Sequence, residues 1–397
     1  MIVALRHWWQ KKQPPTLALD NAGVDARVVL LFSVISLLCL GTVMIASASM
    51  PYGEYIYDNP LYFIKRHVVY LMLGFIATGV SFSIPLRLWF KNTIVLWLMV
   101  LGLLFVVLLL PEVNGSKRWI ALPGFTFQPS EFAKFVMVLF TADYVVRRSD
   151  EIRFSLKGLL RLMIPLGSVL VLLLFEPDLG ASVVVVASMM AVFFLAGAPI
   201  KQFGSILATA SGALVLAILA EPYRLRRFLS FTNPWADEQG DGYQLKQSLI
   251  AFGRGEWTGT GLGHSVQKLS YLPEAHTDFM LAIVGEELGF VGIFILFSLS
   301  FLMVAACMRI GFNALRNNQL RAGYLAYGIS VIFVIQICVN GGMNMGLMPT
   351  KGLTLPFISY GGTALIMSLF MIGVILRIHR ETLLQVQDNG AKTVEDK

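Results

Sequence analysis

Residues 271–289 read YLPEAHTDFMLAIVGEELG, and this stretch decides how the rest of the chain is interpreted. A polar segment ends at Asp278, and a long apolar run follows it immediately. The run is long enough to cross a membrane, because about 20 apolar residues span ~30 Å of hydrocarbon. A carboxylate at the entrance of a membrane helix is unusual, so it requires either a structural or a chemical explanation.

The whole chain has the composition of a membrane protein. It has 397 residues, of which 56% are hydrophobic and 14% are charged, whereas soluble domains carry roughly 25% charged residues. Apolar runs of spanning length recur and predict an all-α, polytopic membrane protein with about ten spans. The predicted spans are residues 28–48, 67–84, 92–110, 131–147, 160–176, 180–198, 203–220, 278–307, 322–341 and 361–379.

Positive charge sets the orientation of these spans. An even number of spans places both termini on one side, and the links on that side are rich in Lys and Arg. The positive-inside rule makes this side the cytoplasm. The predicted organisation is a cytoplasmic N-terminal tail (1–27), a membrane domain (28–380) with one large outer loop (221–277), and a cytoplasmic C-terminal tail (381–397).

The outer links also carry positive charge, against this trend. Arg118 lies in the link 111–130, and Lys351 lies in the link 342–360. Such charge indicates an anionic ligand on the outer face. Contact with lipid headgroups and snorkelling of long side chains explain it equally well.

The composition of the outer links predicts unusual structure. Residues 342–360 are too apolar for a solvated loop and too interrupted by Gly and Pro for a helix, which predicts a re-entrant segment that lines a cavity. Residues 243–252 have the spacing of an amphipathic helix, which we expect to lie flat on the outer leaflet. No GxxxxGK[ST] motif occurs, so ATP is not the expected energy source.

Asp278 allows two interpretations. With Thr277 as N-cap, its carboxylate favours the start of the helix by about 0.3–1 kcal/mol through the helix dipole. Alternatively it is an ionised base that faces a hydroxyl nucleophile. Glu286 and Glu287 lie deeper in the same run, too far from Asp278 to share its proton, and we expect a structural or helix-contact role for them. The acidic cluster 176–178 is most simply explained as a tight connection.

A second charged group opens the fourth predicted span. Glu131 and Lys134 share one helix face, with Ser130 as the expected N-cap. This is either an ordinary helix start, or Lys134 and Arg118 meet a phosphate in a cavity. A divalent cation (Mg²⁺ or Mn²⁺) beside Asp278 and a pyrophosphate is a further expectation, although the spacing alone does not identify its ligands.

Several long motifs resemble the SEDS family of bacterial cell-wall polymerases, over nearly the whole chain after residue 27. The motifs are NGSKRWI (114–120), QPSEFAK (128–134), EPDLG (176–180), NPWAD (233–237), GYQLKQSLIAFGRGEWTGTGLGHSVQKLSYLPEAHTDF (242–279), GEELG (285–289) and PTKGLTLPFISYGG (349–362). Among its branches, the division branch is more similar than the elongation branch.

The resemblance implies a ten-helix peptidoglycan glycosyltransferase that polymerises lipid II at the outer face of the bacterial inner membrane, at the division septum. It implies that Asp278 is the essential catalytic aspartate. Arg118, Glu131, Lys134 and Lys351 are the implied substrate-binding residues. The implied partners are a class B penicillin-binding protein (an FtsI-like transpeptidase), the FtsQ–FtsL–FtsB complex and other divisome proteins. No nucleotide cofactor is implied.

Two other functions fit parts of the sequence. A lipid II flippase also needs many helices, intramembrane charges and broken segments. However, the unusual charges and links crowd the outer side, whereas a carrier needs a matching inner gate. A non-catalytic scaffold for the transpeptidase is the third alternative, and it would tolerate the loss of the Asp278 carboxylate.

Overall fold

The computed structural model describes residues 25–112, 117–122, 125–154, 156–219, 235, 242–349 and 352–395. It is almost entirely helical, as predicted. The helices are α1 (Ala26–Tyr57), α2 (Tyr62–Ser83), α3 (Leu86–Lys91), α4 (Thr93–Leu109), α5 (Pro129–Arg147), α6 (Ser149–Phe154), α7 (Leu156–Phe175), α8 (Leu179–Leu195), α9 (Ile200–Leu219), α10 (Tyr243–Gly255), α11 (Met280–Arg316), α12 (Leu320–Asn344) and α13 (Gly362–Glu395). Between α4 and α5, β1 (Ile120–Leu122) pairs antiparallel with β2 (Phe125–Phe127).

Each of the ten predicted spans coincides with one of the longer helices. Among the described residues, five helices are long and apolar enough to cross a membrane, namely α1, α2, α11, α12 and α13, and three further apolar helices are somewhat shorter. Large apolar side chains cover their outward faces, as membrane helices require. Examples are Phe32, Ile35, Phe75, Ile76, Phe294 and Phe301.

Helix α5 forms the centre of the bundle. It contacts α4, α7, α8, α12 and α13, and nearly every side chain from Pro129 to Val145 is buried. Charged groups on this helix are therefore surrounded by protein and require partners. Glu131, Lys134 and Asp143 are the charged residues of this buried stretch.

Close backbone contacts fix the irregular parts of the fold. Helix α11 is broken at Gly289, which has φ 64° and ψ −162°. A side chain there would collide with the loop at Trp257 and Gly259, so the site requires glycine. Gly41 of α1 likewise leaves room for the backbone of Phe357. After the end of α12 at Asn344 the link to α13 is irregular where it is described, as the sequence predicts; residues 345–349 are largely exposed, whereas most of residues 353–359 are buried.

Two local expectations are wrong. Helix α11 begins at Met280 with Phe279 as N-cap, and the Thr277 hydroxyl donates to the backbone oxygen of Glu274 instead of capping the helix. Gln128, not Ser130, is the N-cap of α5, because the Ser130 hydroxyl is used in a tertiary contact.

The amphipathic helix predicted for residues 243–252 is present as α10. Its buried face packs on α11 and α12, so contact with protein accounts for its amphipathic pattern. The C-terminal segment predicted as a tail continues α13 as helix to Glu395. The N-terminal tail lies mostly outside the described residues.

Candidate active site

Asp278 lies in the turn that leads into α11. Its side chain is half-buried, and its Oδ2 atom faces the Cα position of Gly352, where an added methyl group would lie at 3.4 Å. The residues that follow, from Phe279 to Glu287, are buried without interruption. The carboxylate therefore stands where a fully buried helix segment meets an accessible surface, beside Gly352 of the irregular segment between α12 and α13.

Two asparagines on α12 fix the backbone at Asp278. The side-chain amides of Asn340 and Asn344 each donate to the Asp278 carbonyl oxygen at 3.0 Å. Asn340 also donates to the carbonyl oxygen of Leu353 at 2.7 Å. Both asparagines are fully buried, so they tie the Asp278 turn and the irregular segment to one rigid helix end.

This pair was not predicted from the sequence. Asn340 and Asn344 lie four residues apart, on one face at the end of an apolar run. Buried amides at that place must satisfy several donors and acceptors, and this requirement was the available signal.

His276 lies two residues before Asp278, in an aromatic environment. Its ring lies 4.7 Å from Phe63, 5.1 Å from Tyr52 and 5.7 Å from Tyr360 between centroids. Its carbonyl oxygen accepts a hydrogen bond from the Tyr360 amide at 2.9 Å. Burial lowers the pKa of the His276 imidazole, although the Glu274 carboxylate acts in the opposite direction. The side chain is therefore neutral at pH 7.

Glu286 and Glu287 hold the loop before Asp278, which agrees with the structural role expected for them. The Glu286 carboxylate accepts from the Ser265 hydroxyl and from the amides of Val266 and Gln267, and Arg254 lies 3.2 Å away.

The Glu287 carboxylate is equally committed. It forms an ion pair with Lys268 at 2.7 Å and accepts from the Ser47 hydroxyl. Neither glutamate side chain is exposed, so both serve the architecture of the loop and do not face a substrate.

Glu131 and Lys134 form a buried ion pair at the start of α5. The Lys134 ammonium lies 2.7 Å from the Glu131 carboxylate and is completely buried. Nearby, the Ser130 hydroxyl donates to Asp178 at 2.9 Å, and Asp178 accepts from the Ala181 amide to cap α8. The acidic cluster 176–178 thus makes the tight connection that was expected.

Arg118 lies over the same connection. Its guanidinium donates to the carbonyl oxygens of Glu176 at 3.1 Å and Pro177 at 2.5 Å. The Glu176 carboxyl is buried beside it, and neither of its oxygens has a hydrogen-bond partner among the described residues. Two of the five guanidinium donors are used, which leaves three for an anion as far as the described residues go.

The irregular segment between α12 and α13 lies between Asp278 and the region around Arg118. Gly352 adjoins the Asp278 carboxylate, and the next side chain, Leu353, packs on Gly180 at the start of α8. At its far end, the Thr363 hydroxyl accepts from the Gln128 amide and donates to Thr126. The structure therefore brings Asp278 and the Arg118 region to one segment. Lys351, which precedes Gly352, lies outside the described residues.

The expected divalent cation has no ready site in the part of the chain that the structure describes. Those residues contain no group of three or more His, Cys, Asp or Glu side chains that could hold a metal ion. Asp278 alone is a poor binding site for Mg²⁺ or Mn²⁺, which require several oxygen ligands.

The chain matches known proteins over nearly its whole length. A family model described as cell cycle protein, for FtsW, RodA and SpoVE, matches residues 28–383. A probable peptidoglycan glycosyltransferase FtsW from Acinetobacter baylyi is 60% identical over 91% of this chain and 91% of its own length.

Solved structures share the fold. A chain from a study of polymerization and crosslinking by a peptidoglycan synthase complex has a TM-score of 0.71 at 28% identity, covering 89% of this chain and 97% of its own. The rod shape determining protein RodA of Thermus thermophilus has a TM-score of 0.66 at 27% identity, covering 93% and 99%. This chain is therefore a multi-pass membrane protein of the FtsW/RodA/SpoVE family, and within that family it is FtsW-like.

Proposed function

We propose that this chain is a peptidoglycan glycosyltransferase that polymerises lipid II into β-1,4-linked glycan strands, with Asp278 as the general base. The observation that carries the proposal is the support of Asp278. Its carbonyl oxygen is held by two buried amides, while its carboxylate lies at an accessible surface against Gly352. A catalytic base needs this combination of a rigid backbone and an accessible side chain.

The reaction follows from the chemistry of the substrate. The Asp278 carboxylate takes the proton from the 4-hydroxyl of the acceptor N-acetylglucosamine. The resulting oxygen nucleophile attacks C1 of the donor N-acetylmuramic acid and displaces the lipid pyrophosphate. The configuration at C1 inverts from an α-linked phosphate ester to a β-glycoside. Cleavage of this activated ester supplies the driving force, so no nucleotide is required.

The leaving pyrophosphate needs positive charge. Arg118 is the best-placed candidate, because part of its guanidinium is held by the 176–177 backbone and the remaining donors can meet phosphate oxygens. Lys134 reaches a phosphate only if its buried ion pair with Glu131 opens. We therefore assign Glu131 and Lys134 to the wall of the substrate site and Arg118 to the phosphate. Lys351, which precedes Gly352 in the sequence, is a further proposed substrate-binding cation.

The proposed setting is the division septum of the bacterial inner membrane, with both termini in the cytoplasm. The proposed partners are an FtsI-like class B penicillin-binding protein, the FtsQ–FtsL–FtsB complex and other divisome proteins. The similarity to a chain from a peptidoglycan synthase complex supports the transpeptidase partner. Glycan strands made at the membrane surface are the material that such a partner crosslinks.

The purified chain, combined with a transpeptidase partner whose active site is blocked, is incubated with lipid II and a divalent cation. Formation of glycan polymer supports the proposal. Transport of lipid II across a reconstituted bilayer without polymer would replace it with the flippase alternative. Absence of both activities, with normal activation of the transpeptidase, would replace it with the scaffold alternative.

A further inference from the structure

A cluster of aromatic rings surrounds His276, two residues before Asp278, and reaches the protein surface. We define the aromatic cluster as Tyr52, Tyr57, Tyr62, Phe63, His276 and Tyr360. The rings contact one another from the surface to the interior: Tyr57 stacks on Tyr62 at 3.8 Å between centroids, and Phe63 packs against His276 at 4.7 Å. None of these rings takes part in the proposed glycosyl transfer.

The outer end of the aromatic cluster is accessible. Tyr57 is 47% exposed and Tyr52 is 38% exposed, whereas Phe63 is buried. The guanidinium of Arg66 lies over the Tyr62 ring at 5.1 Å from its centroid. Buried rings thus hold exposed rings in fixed positions, and the exposed rings need little further ordering to bind a flat ligand.

Membrane anchoring does not account for the position of Tyr57. The apolar run of α1 ends near Ala48, and Tyr57 lies nine residues further along the helix, about 14 Å at 1.5 Å per residue. The headgroup layer adds only about 5–8 Å to the hydrocarbon on each side. Polar residues lie between the tyrosines, namely Glu54, Asp58 and Asn59, and such a segment is unsuitable for burial in lipid.

We propose that the aromatic cluster is a binding platform for the amino-sugar chain that passes Asp278. That the bound ligand is an amino-sugar chain rests on the proposed function. A pyranose ring presents C–H bonds on one face, and these pack on the electron-rich face of an aromatic ring. Tyrosine adds a hydroxyl that bonds to sugar hydroxyl and acetamido groups. His276 connects the platform directly to the turn that carries the general base.

The platform is tested by sugar binding in a variant that cannot polymerise. The full-length Asp278→Asn protein in detergent is titrated with a β-1,4-linked N-acetylglucosamine hexamer, and binding is followed by saturation-transfer NMR and calorimetry. Adding Tyr57→Ala is expected to weaken binding at least fivefold, while Tyr57→Phe retains it. Tyr55→Ala is the matched control, since Tyr55 is 79% exposed on the same helix and outside the aromatic cluster.

Equal binding by the Tyr57→Ala and Tyr55→Ala proteins would overturn the platform, as would loss of binding only in proteins whose thermal stability also falls. With Asp278 intact, Tyr57→Ala is expected to shorten the glycan chains in the polymerisation assay. Failure of the proposed function is separate: a wild type that makes no polymer but whose hexamer binding depends on Tyr57 refutes the glycosyltransferase and keeps the platform.

Discussion

Removal of the Asn340 side chain tests the link between the support of Asp278 and catalysis. In Asn340→Ala, the Leu353 carbonyl loses the donor at 2.7 Å, and the Asp278 carbonyl keeps only the amide of Asn344. The Leu353 acceptor left without its donor costs about 1–3 kcal/mol, and the lost second hydrogen bond to the Asp278 carbonyl adds about 1 kcal/mol. We therefore expect the free energy of unfolding to fall by about 2–4 kcal/mol.

The expected effect on kcat is larger than the expected effect on KM. A displacement of about 1 Å at a catalytic group costs roughly 10²-fold in rate. Asn340→Ala should therefore lower kcat of glycan polymerisation about 30- to 100-fold, with a change in KM of less than about threefold, because the substrate contacts themselves remain. Initial rates over a range of lipid II concentrations, measured well below the melting temperature, separate the two parameters.

Gln336→Ala is the matched control, because Gln336 is a buried amide one turn earlier on the same helix. It should reduce stability while it leaves kcat within about threefold of the wild-type value. Wild-type kcat in folded Asn340→Ala protein would refute the reasoning, and so would equal losses of kcat in both variants.

Three further predictions concern the surrounding residues. Lys268→Met leaves the buried Glu287 carboxylate without its ion-pair partner and should cost about 3–5 kcal/mol in denaturant unfolding, part of which is recovered when Glu287→Gln is added. The wild type should lose stability as the pH falls through about 6.5, because the unfolded chain binds a proton at His276 that the folded protein does not; thermal unfolding of His276→Phe should show a smaller loss, and an identical pH dependence would contradict this. Arg118→Ala should lower polymerisation at least tenfold and weaken lipid II binding, and unchanged values of both would remove Arg118 from the pyrophosphate site.

The sequence was sufficient for the helical architecture because spanning helices are determined mainly by length and hydropathy. The ten apolar runs all appear as helices. The irregular link before α13 was predicted from its mixture of Gly, Pro and apolar residues. The break of α11 at Gly289 was missed, because it results from the loop that packs across Gly289 rather than from the local sequence.

Tertiary contacts also decided the local features of the site that sequence reasoning missed. Ser130 has a good N-cap side chain, but its hydroxyl is taken by Asp178 on another helix. Thr277 was misplaced as a cap because the chain remains in a turn until Phe279. The hydrogen bonds from Asn340 and Asn344 to the Asp278 carbonyl join segments about 60 residues apart in sequence. No local sequence pattern specifies such a contact.

The rate of the first glycosidic bond in Asp278→Asn protein tests the central claim most directly. Single-turnover rates with lipid II are compared with those of the wild type, and lipid II binding is measured on the same preparations. A general base contributes about 10²–10⁴-fold, so the account predicts a loss of at least 100-fold with lipid II affinity within threefold of the wild type. A rate within tenfold of the wild type, in protein that binds lipid II normally, would contradict the assignment of Asp278 as the base.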